Sequence, residues 1–426
     1  MLRVFEAFAG YGSQSIALRN LGIEHKVVAI SEIDKYAIKA YYALHDNNVP
    51  NLGDISKIDT TDIPDHDLFT YSFPCQDISV AGKTKGIVKG ETRSGLLYEC
   101  EKIIEVKRPK YLLLENVKNL VGKKFKPQFD EWLVYLESLG YTNYWKVLNA
   151  KDYGVPQNRE RVFVVSILGE HEPYKFADKI PLDKCIADIL EDEVDEKYYL
   201  SEDIQKRFKI TNQNKNIIGT TKPEFRTIGQ RDLVYNEEGI MGALVATDYK
   251  QPKQIAEINR QPKILIPQAT KKGYIEMDLP GVCDLSYPNS KARRGRVQEE
   301  GKVSPTLTAA SQDICYIDYT TVGDEMKGPK IICEQRCDEG LRFFKGNVCG
   351  TTRTIDAGGD KRVIEGDFRI RKLTPRECFR LMGMRDDDID KIQAAGISNT
   401  QQYKMAGNSI VVNVLEAIFK NLFMEG

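Results

Sequence analysis

Short apolar runs alternate with helical segments through the first 170 residues, and this alternation constrains the fold more than any other feature. The runs 2–8, 26–31, 67–72 and 110–114 have the length and composition of buried strands. The chain between them has the apolar spacing of helices, as in 14–21. Strands that alternate with helices in this way predict an α/β domain with a mostly parallel sheet.

Glycines, acids and one thiol follow these predicted strands directly. They are Gly10 and Gly12 after the first run, Glu32 after the second, Cys75 after the third and Glu115 after the fourth. Open α/β sheets bind ligands at the carboxyl ends of their strands, so these side chains are candidates for a binding site. A lone cysteine is more often a buried structural residue, and Cys75 alone does not establish a nucleophile.

The acids at successive strand ends describe a nucleoside pocket. Glu32 is placed to bind a ribose diol, and Asp54 is placed to accept the exocyclic amine of an adenine ring. The small residues before the first helix let the backbone approach a ligand. The G-x-G-x-x-G pattern of dinucleotide sites is incomplete at Ser13 and Asn20, which weakens the alternative of a nicotinamide oxidoreductase.

Two arginines occupy positions i and i+2 of an extended segment. Arg159 and Arg161 precede the second strand of an apparent hairpin, 144–148 with 161–167, and side chains two apart lie on one side of a strand. Guanidinium groups suit the recognition of carbonyl and phosphate oxygens. The pair is therefore a candidate for substrate binding.

Composition excludes several classes of protein. The chain has 61 Lys and Arg against 62 Asp and Glu, so net charge does not indicate a nucleic-acid partner, although local basic clusters could still supply one. Nine cysteines without a signal-like apolar segment indicate a reducing compartment, and four scattered histidines do not indicate a metal site. No apolar run is long enough to span a membrane. We therefore expect a soluble protein of a reducing cytosol.

Six short blocks, in this order, resemble the conserved blocks of DNA (cytosine-5) methyltransferases of the bacterial and phage restriction-modification type. They are Phe8-x-Gly10-x-Gly12, Glu32, Asp54, Phe73-Pro74-Cys75-Gln76, Glu115-Asn116-Val117 and Gln157-x-Arg159-x-Arg161. The resemblance resumes at 371–383 and 402–409. It departs from the family at Ser13, where a third glycine is common, and at Ile33, where an aromatic residue is common.

The resemblance implies two domains. Residues 1–175 and 368–426 would form a Rossmann-like S-adenosylmethionine-dependent methyltransferase domain with a mostly parallel sheet, closed by the last helix. Residues 176–367 would form a smaller, loop-rich β domain that recognises the target sequence.

The resemblance also implies a reaction. A methyl group would pass from S-adenosylmethionine to C5 of a flipped-out cytosine in a specific duplex DNA site, through a covalent bond between Cys75 and C6. S-adenosylhomocysteine would be the product, and no metal is expected. The implied catalytic residues are Cys75, Glu115, Asn116, Arg159 and Arg161.

Further residues are implied to bind the cofactor and the DNA. The cofactor residues are Phe8, Gly10, Gly12, Glu32, Ile33, Asp54, Ile55, Pro74, Leu96 and Asn408. The DNA contacts are Gln76, Ser79, Lys83, Lys85, Arg293, Arg294, Arg296 and Arg353. Besides duplex DNA, a cognate restriction endonuclease that acts on the same site without a stable complex is a candidate partner. The resemblance also implies a monomer that works in the bacterial cytoplasm or nucleoid.

Three rival functions remain open for these residues. An RNA (cytosine-5) methyltransferase shares the fold but usually has a much smaller recognition region. A DNA-binding regulator without catalysis would not need both Cys75 and Glu115. The third rival is a nicotinamide oxidoreductase, in which Cys75 and Glu115 would have no role.

Overall fold

The computed structural model describes residues 1–45, 47–74, 78, 93–201, 209–214, 216–222, 232–237, 239–258, 263–267, 274–278, 281–284, 314–317, 330–336, 340–344, 361–365 and 368–424. Nine of the predicted site residues lie outside the described residues. They are Cys75, Gln76, Ser79, Lys83, Lys85, Arg293, Arg294, Arg296 and Arg353.

The chain forms two compact units. The first comprises residues 1–198, 207–255 and 372–426, and the second comprises residues 199–206 and 256–371. The first unit therefore includes residues beyond position 175, where we placed the end of the amino-terminal part of the catalytic domain. The assignment of 176–367 to target recognition stays a prediction.

A six-stranded sheet forms the centre of the first unit. The chain contributes, in order, β1 (Leu2–Ala7), β2 (His25–Ser31), β3 (Leu68–Tyr71), β4 (Tyr111–Val117), β5 (Tyr141–Asn149), the two-residue strand β6 (Gln157–Asn158) and β7 (Glu160–Leu168). The order in the sheet is β2-β1-β3-β4-β7-β5. Strand β7 is antiparallel to β4 and β5, and the other neighbours are parallel. The predicted mostly parallel α/β sheet is confirmed.

The order of the strands reverses direction at β1. The chain passes from β1 to β2 on one side and later places β3 on the other side. Sheets of this kind bind ligands in the crevice outside the carboxyl ends of the two strands at such a reversal. In the register, Ala7 pairs with Tyr71 and Tyr71 pairs with Leu114, so the segments that follow β1, β3 and β4 emerge side by side.

Eight helices among the described residues complete the first unit. They are α1 (Ser13–Asn20), α2 (Lys35–Leu44), α3 (Leu97–Lys107), α4 (Lys126–Ser138), α5 (Pro375–Arg380), α6 (Asp386–Ala394), α7 (Asn399–Asn408) and α8 (Val412–Phe423). Successive strand residues point to opposite faces. Val4 and Leu68 accordingly share a buried apolar cluster with residues of α1 and α8, whereas Phe5 and Phe69 share one with α3 and α4.

The last part of the chain packs against the first. Asn20 of α1 donates a hydrogen bond to Glu416 of α8 at 2.7 Å, and Arg19 forms an ion pair with Asp388 of α6. The last helix, which we predicted to close this domain, is α8, and it extends from Val412 to Phe423.

The remaining strands are shorter. In the first unit β8 (Lys209–Asn214), β9 (Ile217–Thr220) and β10 (Leu233–Asn236) are antiparallel, and β11 (Met241–Gly242) pairs in parallel with β6. The units divide within β12 (Gln254–Ile258) and β20 (Phe368–Lys372).

The second unit contains antiparallel strands. Its pairs are β13 (Lys263–Pro267) with β14 (Tyr274–Asp278), β15 (Gly281–Asp284) with β16 (Ile314–Ile317), and β17 (Lys330–Arg336) with both β18 (Gly340–Phe344) and β19 (Lys361–Glu365). Its described residues thus have the β character predicted for the smaller domain.

Candidate active site

The turn after β1 leaves its backbone open to a ligand. Phe8, Gly10 and Gly12 all have positive φ, at 54°, 58° and 83°. A Cβ added to Gly10 would meet nothing within 4 Å, whereas one added to Gly12 would lie 2.4 Å from Nε2 of His45. Only glycine fits at position 12, and the space beside Gly10 is free for a bound group.

Glu32 is held at the end of β2 by three backbone N–H groups. Its Oε2 accepts from Gly10 at 2.9 Å, and its Oε1 accepts from Ile33 and Asp34, both at 2.8 Å. A carboxylate offers about four acceptor positions, so Glu32 retains capacity for a ligand hydroxyl. Ile33 beside it is 73% exposed, which leaves an apolar surface at the same strand end.

The segment that carries Asp54 lies next to β2. The amide of Leu52 donates to the carbonyl of Ile30 at 2.8 Å, and Oδ1 of Asp54 accepts from the amide and hydroxyl of Ser56. The hydrogen bonds from Ser56 lower the pKa of Asp54. Asp54 therefore caps the 3-10 turn Ile55–Lys57, and Ile55 is buried beneath it.

The end of β3 is tied to neighbouring elements. The Asn116 side-chain amide donates to the carbonyl of Phe73 at 3.0 Å, and the Ser94 hydroxyl donates to the carbonyl of Pro74 at 2.8 Å. Phe73 is 2% exposed. Cys75 is the next residue in the sequence after Pro74 and lies outside the described residues.

Glu115 is a buried carboxyl beside an arginine. Its Oε1 lies 3.2 Å from Nε of Arg161, and Glu115 is 8% exposed. Burial raises the pKa of Glu115 above its ordinary value, although the charges of Arg161 and Arg159 and a hydrogen bond with Ser72 act in the opposite direction. A carboxyl with a raised pKa keeps its proton closer to neutral pH, and it can act as a general acid.

Arg159 holds backbone carbonyls together. Its guanidinium donates to the carbonyls of Leu244 at 2.7 Å, Gly407 at 3.2 Å and Ser409 at 2.7 Å, and the residue is 3% exposed. We predicted that it orients the substrate. In the structure it holds two chain segments together through these three carbonyls. The charge of Arg159 also acts on Glu115 and lowers its pKa.

The end of α7 joins the turn after β1. The Tyr11 hydroxyl donates to Oγ of Ser409 at 2.8 Å, and Tyr11 is buried between the two glycines of the turn. Asn408, the last residue of α7, is exposed. Leu96 is half-buried at the end of the 3-10 turn Arg93–Leu96.

Sequence reasoning missed three contributors to this site. Ser72 could have been found, because the parallel register of β3 and β4 places the residue after Tyr71 beside Glu115. Ser94 and Tyr11 make contacts across 20 and 398 positions of sequence, and no local pattern marks such pairs.

These residues fit S-adenosylmethionine, the cofactor that the sequence resemblance implies. The open backbone at Gly10, the remaining acceptor capacity of Glu32 and the apolar surface of Ile33 match a nucleoside with a polar ribose and a flat apolar base. In the part of the chain that the structure describes, no group of three or more His, Cys, Asp or Glu side chains could hold a metal ion. Nor is any helix in that part both long and apolar enough to cross a membrane.

Known proteins are similar along the whole chain. The sequence profile described as C-5 cytosine-specific DNA methylase matches residues 2–424. Type II methyltransferase M2.ScrFI of Lactococcus lactis subsp. cremoris is 36% identical, with coverage of 99% of each chain. Orphan methyltransferase M.SPRI of Bacillus phage SPR is 33% identical, with coverage of 99% of this chain and 97% of the phage protein.

Solved structures share the fold at low sequence identity. The S. pombe Dnmt2 methyltransferase has a TM-score of 0.56 and 17% identity, with coverage of 100% of this chain and 99% of that one. The Entamoeba histolytica methyltransferase EhMeth has a TM-score of 0.59 and 15% identity, with coverage of 100% and 98%. From the profile match and the 36% identity with a type II methyltransferase, the chain belongs to the C-5 cytosine-specific DNA methylase family and is an S-adenosylmethionine-dependent DNA (cytosine-5-)-methyltransferase.

Proposed function

We propose that this enzyme methylates C5 of a cytosine flipped out of a specific duplex DNA site, and that Cys75 forms a covalent bond to C6 during the reaction. The observation that carries the proposal is the buried carboxyl of Glu115, whose pKa is raised, at the strand end next to the segment that leads into Cys75. Acid and thiol at neighbouring strand ends form the pair that this chemistry requires.

The chemistry begins with the addition of the Cys75 thiolate to C6. Cytosine C5 is a poor nucleophile, and the new S–C6 bond displaces the C5–C6 π electrons through the ring toward N3. Glu115 in its protonated form donates its proton to N3, which neutralises the developing charge. The ring is then an enamine with a nucleophilic C5.

S-adenosylmethionine supplies an electrophilic methyl group for C5 when it is bound. A solvent water molecule or hydroxide ion takes the C5 proton, the C5–C6 double bond reforms, and the Cys75 sulfur leaves C6 as a thiolate. The N3 proton returns to Glu115, which restores the starting state of the acid. Arg161 fixes the Glu115 carboxyl in place through their contact at 3.2 Å.

The cofactor site would form along the ends of β1 and β2. Gly10 provides close backbone approach, Glu32 accepts a ribose hydroxyl and Ile33 covers one face of the adenine ring. Phe8, Gly12, Asp54, Ile55, Pro74, Leu96 and Asn408 complete the proposed set.

Flipping the cytosine out of the duplex costs on the order of a few kcal/mol, which DNA contacts must offset. We propose Gln76, Ser79, Lys83, Lys85, Arg293, Arg294, Arg296 and Arg353 as these contacts. We also propose that the enzyme acts as a monomer. Its methylation would protect the site from a cognate restriction endonuclease without a stable complex of the two proteins.

Transfer of a labelled methyl group tests the proposal. Duplex genomic DNA and transfer RNA are each incubated with the labelled cofactor and either the parent enzyme, Cys75→Ala or Glu115→Gln. We expect label in the DNA as 5-methylcytosine, no transfer by Cys75→Ala, and a rate lower by about 10² to 10⁴ for Glu115→Gln. Label in transfer RNA but not in DNA would establish the RNA alternative. Full activity of Cys75→Ala would exclude the covalent mechanism.

A further inference from the structure

Three side chains bind the backbone carbonyls that flank position 75. Asn116 binds the carbonyl of Phe73 and Ser94 binds that of Pro74, at 3.0 and 2.8 Å. On the far side, the side-chain amide of Asn119 donates to the carbonyl of Ile78 at 2.6 Å. The sequence resemblance drew attention to Asn116, and it gave no role to Ser94 or Asn119.

These contacts are largely shielded from solvent, although Pro74 and Asn119 themselves are half-buried. Ser94 and Ile78 are both fully buried, at 0% exposure, and Phe73 is 2% exposed. A carbonyl shielded from water that loses its donor is left without a full set of hydrogen bonds, so these donors favour the observed position of the backbone. The chain is fixed both one residue before position 75 and three residues after it.

Two of the donors, Asn116 and Asn119, come from the strand that carries the acid and from the turn after it. Asn119 lies in the 3-10 turn Lys118–Val121, which directly follows β4 with Glu115 and Asn116. Ser94 lies in the 3-10 turn before α3, beyond the segment 75–92 in the sequence. The contact between Ser94 and Pro74 therefore joins the residues on either side of that segment.

We propose that Ser94 and Asn119 are positioning residues for methyl transfer, which fix the backbone on both sides of the nucleophile relative to Glu115. The proposal rests on Cys75 being the nucleophile. A misplacement of about 1 Å can cost on the order of a hundredfold in rate, because the attacking atom must lie close to C6 and in line with its π orbital. Loss of one hydrogen bond should therefore lower the rate of transfer and leave ligand binding unchanged.

The test compares two isosteric or near-isosteric variants with two matched controls. Ser94→Ala removes a hydroxyl, and Asn119→Asp removes the amide donor at almost constant size. Ser138→Ala and Asn421→Asp remove the same kinds of donor to the carbonyls of Tyr135 and Lys175, away from the site. For all four, kcat, KM for the cofactor, Kd for duplex DNA, and Tm are measured.

We expect kcat of Ser94→Ala and Asn119→Asp to fall about tenfold or more, with KM and Kd within twofold of the parent and the pH dependence of kcat unchanged. Both controls should keep the parent kcat. An unchanged kcat in either test variant would overturn its positioning role. So would a loss of kcat that is accompanied by equal losses of affinity and of Tm, because that pattern indicates general destabilisation.

A separate measurement distinguishes failure of this inference from failure of the proposed function. If Cys75→Ala is inactive and the two test variants are fully active, only the positioning role is wrong. If Cys75→Ala is active, the proposed mechanism itself is wrong, whatever the two variants do.

Discussion

At the residue scale, two buried acids of the first unit have raised pKa values for different purposes. Glu115 lies at a strand end beside Arg161, and we propose that it passes a proton to the substrate. Glu6 lies inside β1 and is completely buried, and it accepts hydrogen bonds from Ser15 and Tyr41. Glu6 thereby stabilises the start of α1.

Arg161 should set the pH range in which Glu115 acts. The charge of Arg161 lowers the pKa of Glu115, so Arg161→Met should raise that pKa further. Because the protonated acid is required, the rate falls as pH rises through this pKa. The descending limb of the kcat profile should therefore move to higher pH in the variant. A limb that stays in place or moves to lower pH would mean that Glu115 is not the titrating acid.

Glu6 should make the stability depend on pH. Burial raises its pKa from an ordinary 4.5 to about 7. The folded state therefore holds its proton more tightly than the unfolded state, and the resulting stability is full below pH 4.5 and is lost as pH rises to about 7. At 1.36 kcal/mol per pKa unit this amounts to roughly 3 kcal/mol.

The variant Glu6→Gln tests this dependence. Its neutral amide keeps the size and can still bond with Ser15 and Tyr41. The free energy of unfolding, measured with urea at pH 5 and at pH 8, should differ less in the variant than in the parent, by roughly 3 kcal/mol. The exposed acid Glu131 offers a control, since Glu131→Gln should keep the parent dependence. If the free energy of unfolding changed with pH as much in Glu6→Gln as in the parent, Glu6 would not be the source of this dependence.

At the element scale, the buried strands could be predicted from the sequence, whereas the pairing of β6 with β11 could not. Strands β1 to β4 lie within one residue of the predicted starts, because continuous apolar runs between polar turns leave few alternatives. The two-residue strand pair of β6 and β11 has no such signal, since it joins residues 84 positions apart. Contacts of this kind depend on tertiary packing.

The amino terminus of α5 shows a local signal that was predicted correctly. A threonine followed by a proline, with a glutamate three positions after the threonine, is the sequence pattern of a helix start, and Thr374, Pro375 and Glu377 have it. In the structure the Thr374 hydroxyl accepts from the Glu377 amide at 3.2 Å, and the Glu377 carboxylate accepts from the Thr374 amide at 2.8 Å. This reciprocal pair satisfies two N–H groups that a helix start otherwise leaves free.

Thr374→Ala should lower the free energy of unfolding by about 1 to 2 kcal/mol, because the cap and the hydrogen bond from Thr374 to Glu191 are both lost. Ser398 is a suitable control, since it precedes α7 without a side-chain cap bond. Ser398→Ala should cost less than about 0.5 kcal/mol. If urea titrations showed equal losses of unfolding free energy in the two variants, the hydrogen bonds of Thr374 would not stabilise the protein.

At the scale of the whole molecule, the active site is assembled from distant parts of one chain. Residues 372–426 pack with residues 1–198 in the first unit, and Tyr11 meets Ser409 there. The resemblance to the family indicated which blocks belong together, and the reversal of strand order at β1 explains why they meet at one edge. The DNA sequence that is recognised could not be predicted, because the residues proposed to read it follow no pattern of spacing.

The most direct test of the account uses duplex DNA in which cytosine is replaced by 5-fluorocytosine. A C5 fluorine cannot leave as the proton does, so the covalent complex should accumulate after methyl transfer. We predict a complex that survives denaturation, requires S-adenosylmethionine, and yields a DNA-linked peptide that contains Cys75. Linkage to another cysteine such as Cys100 or Cys185, or no covalent complex while unsubstituted DNA is methylated, would contradict the account.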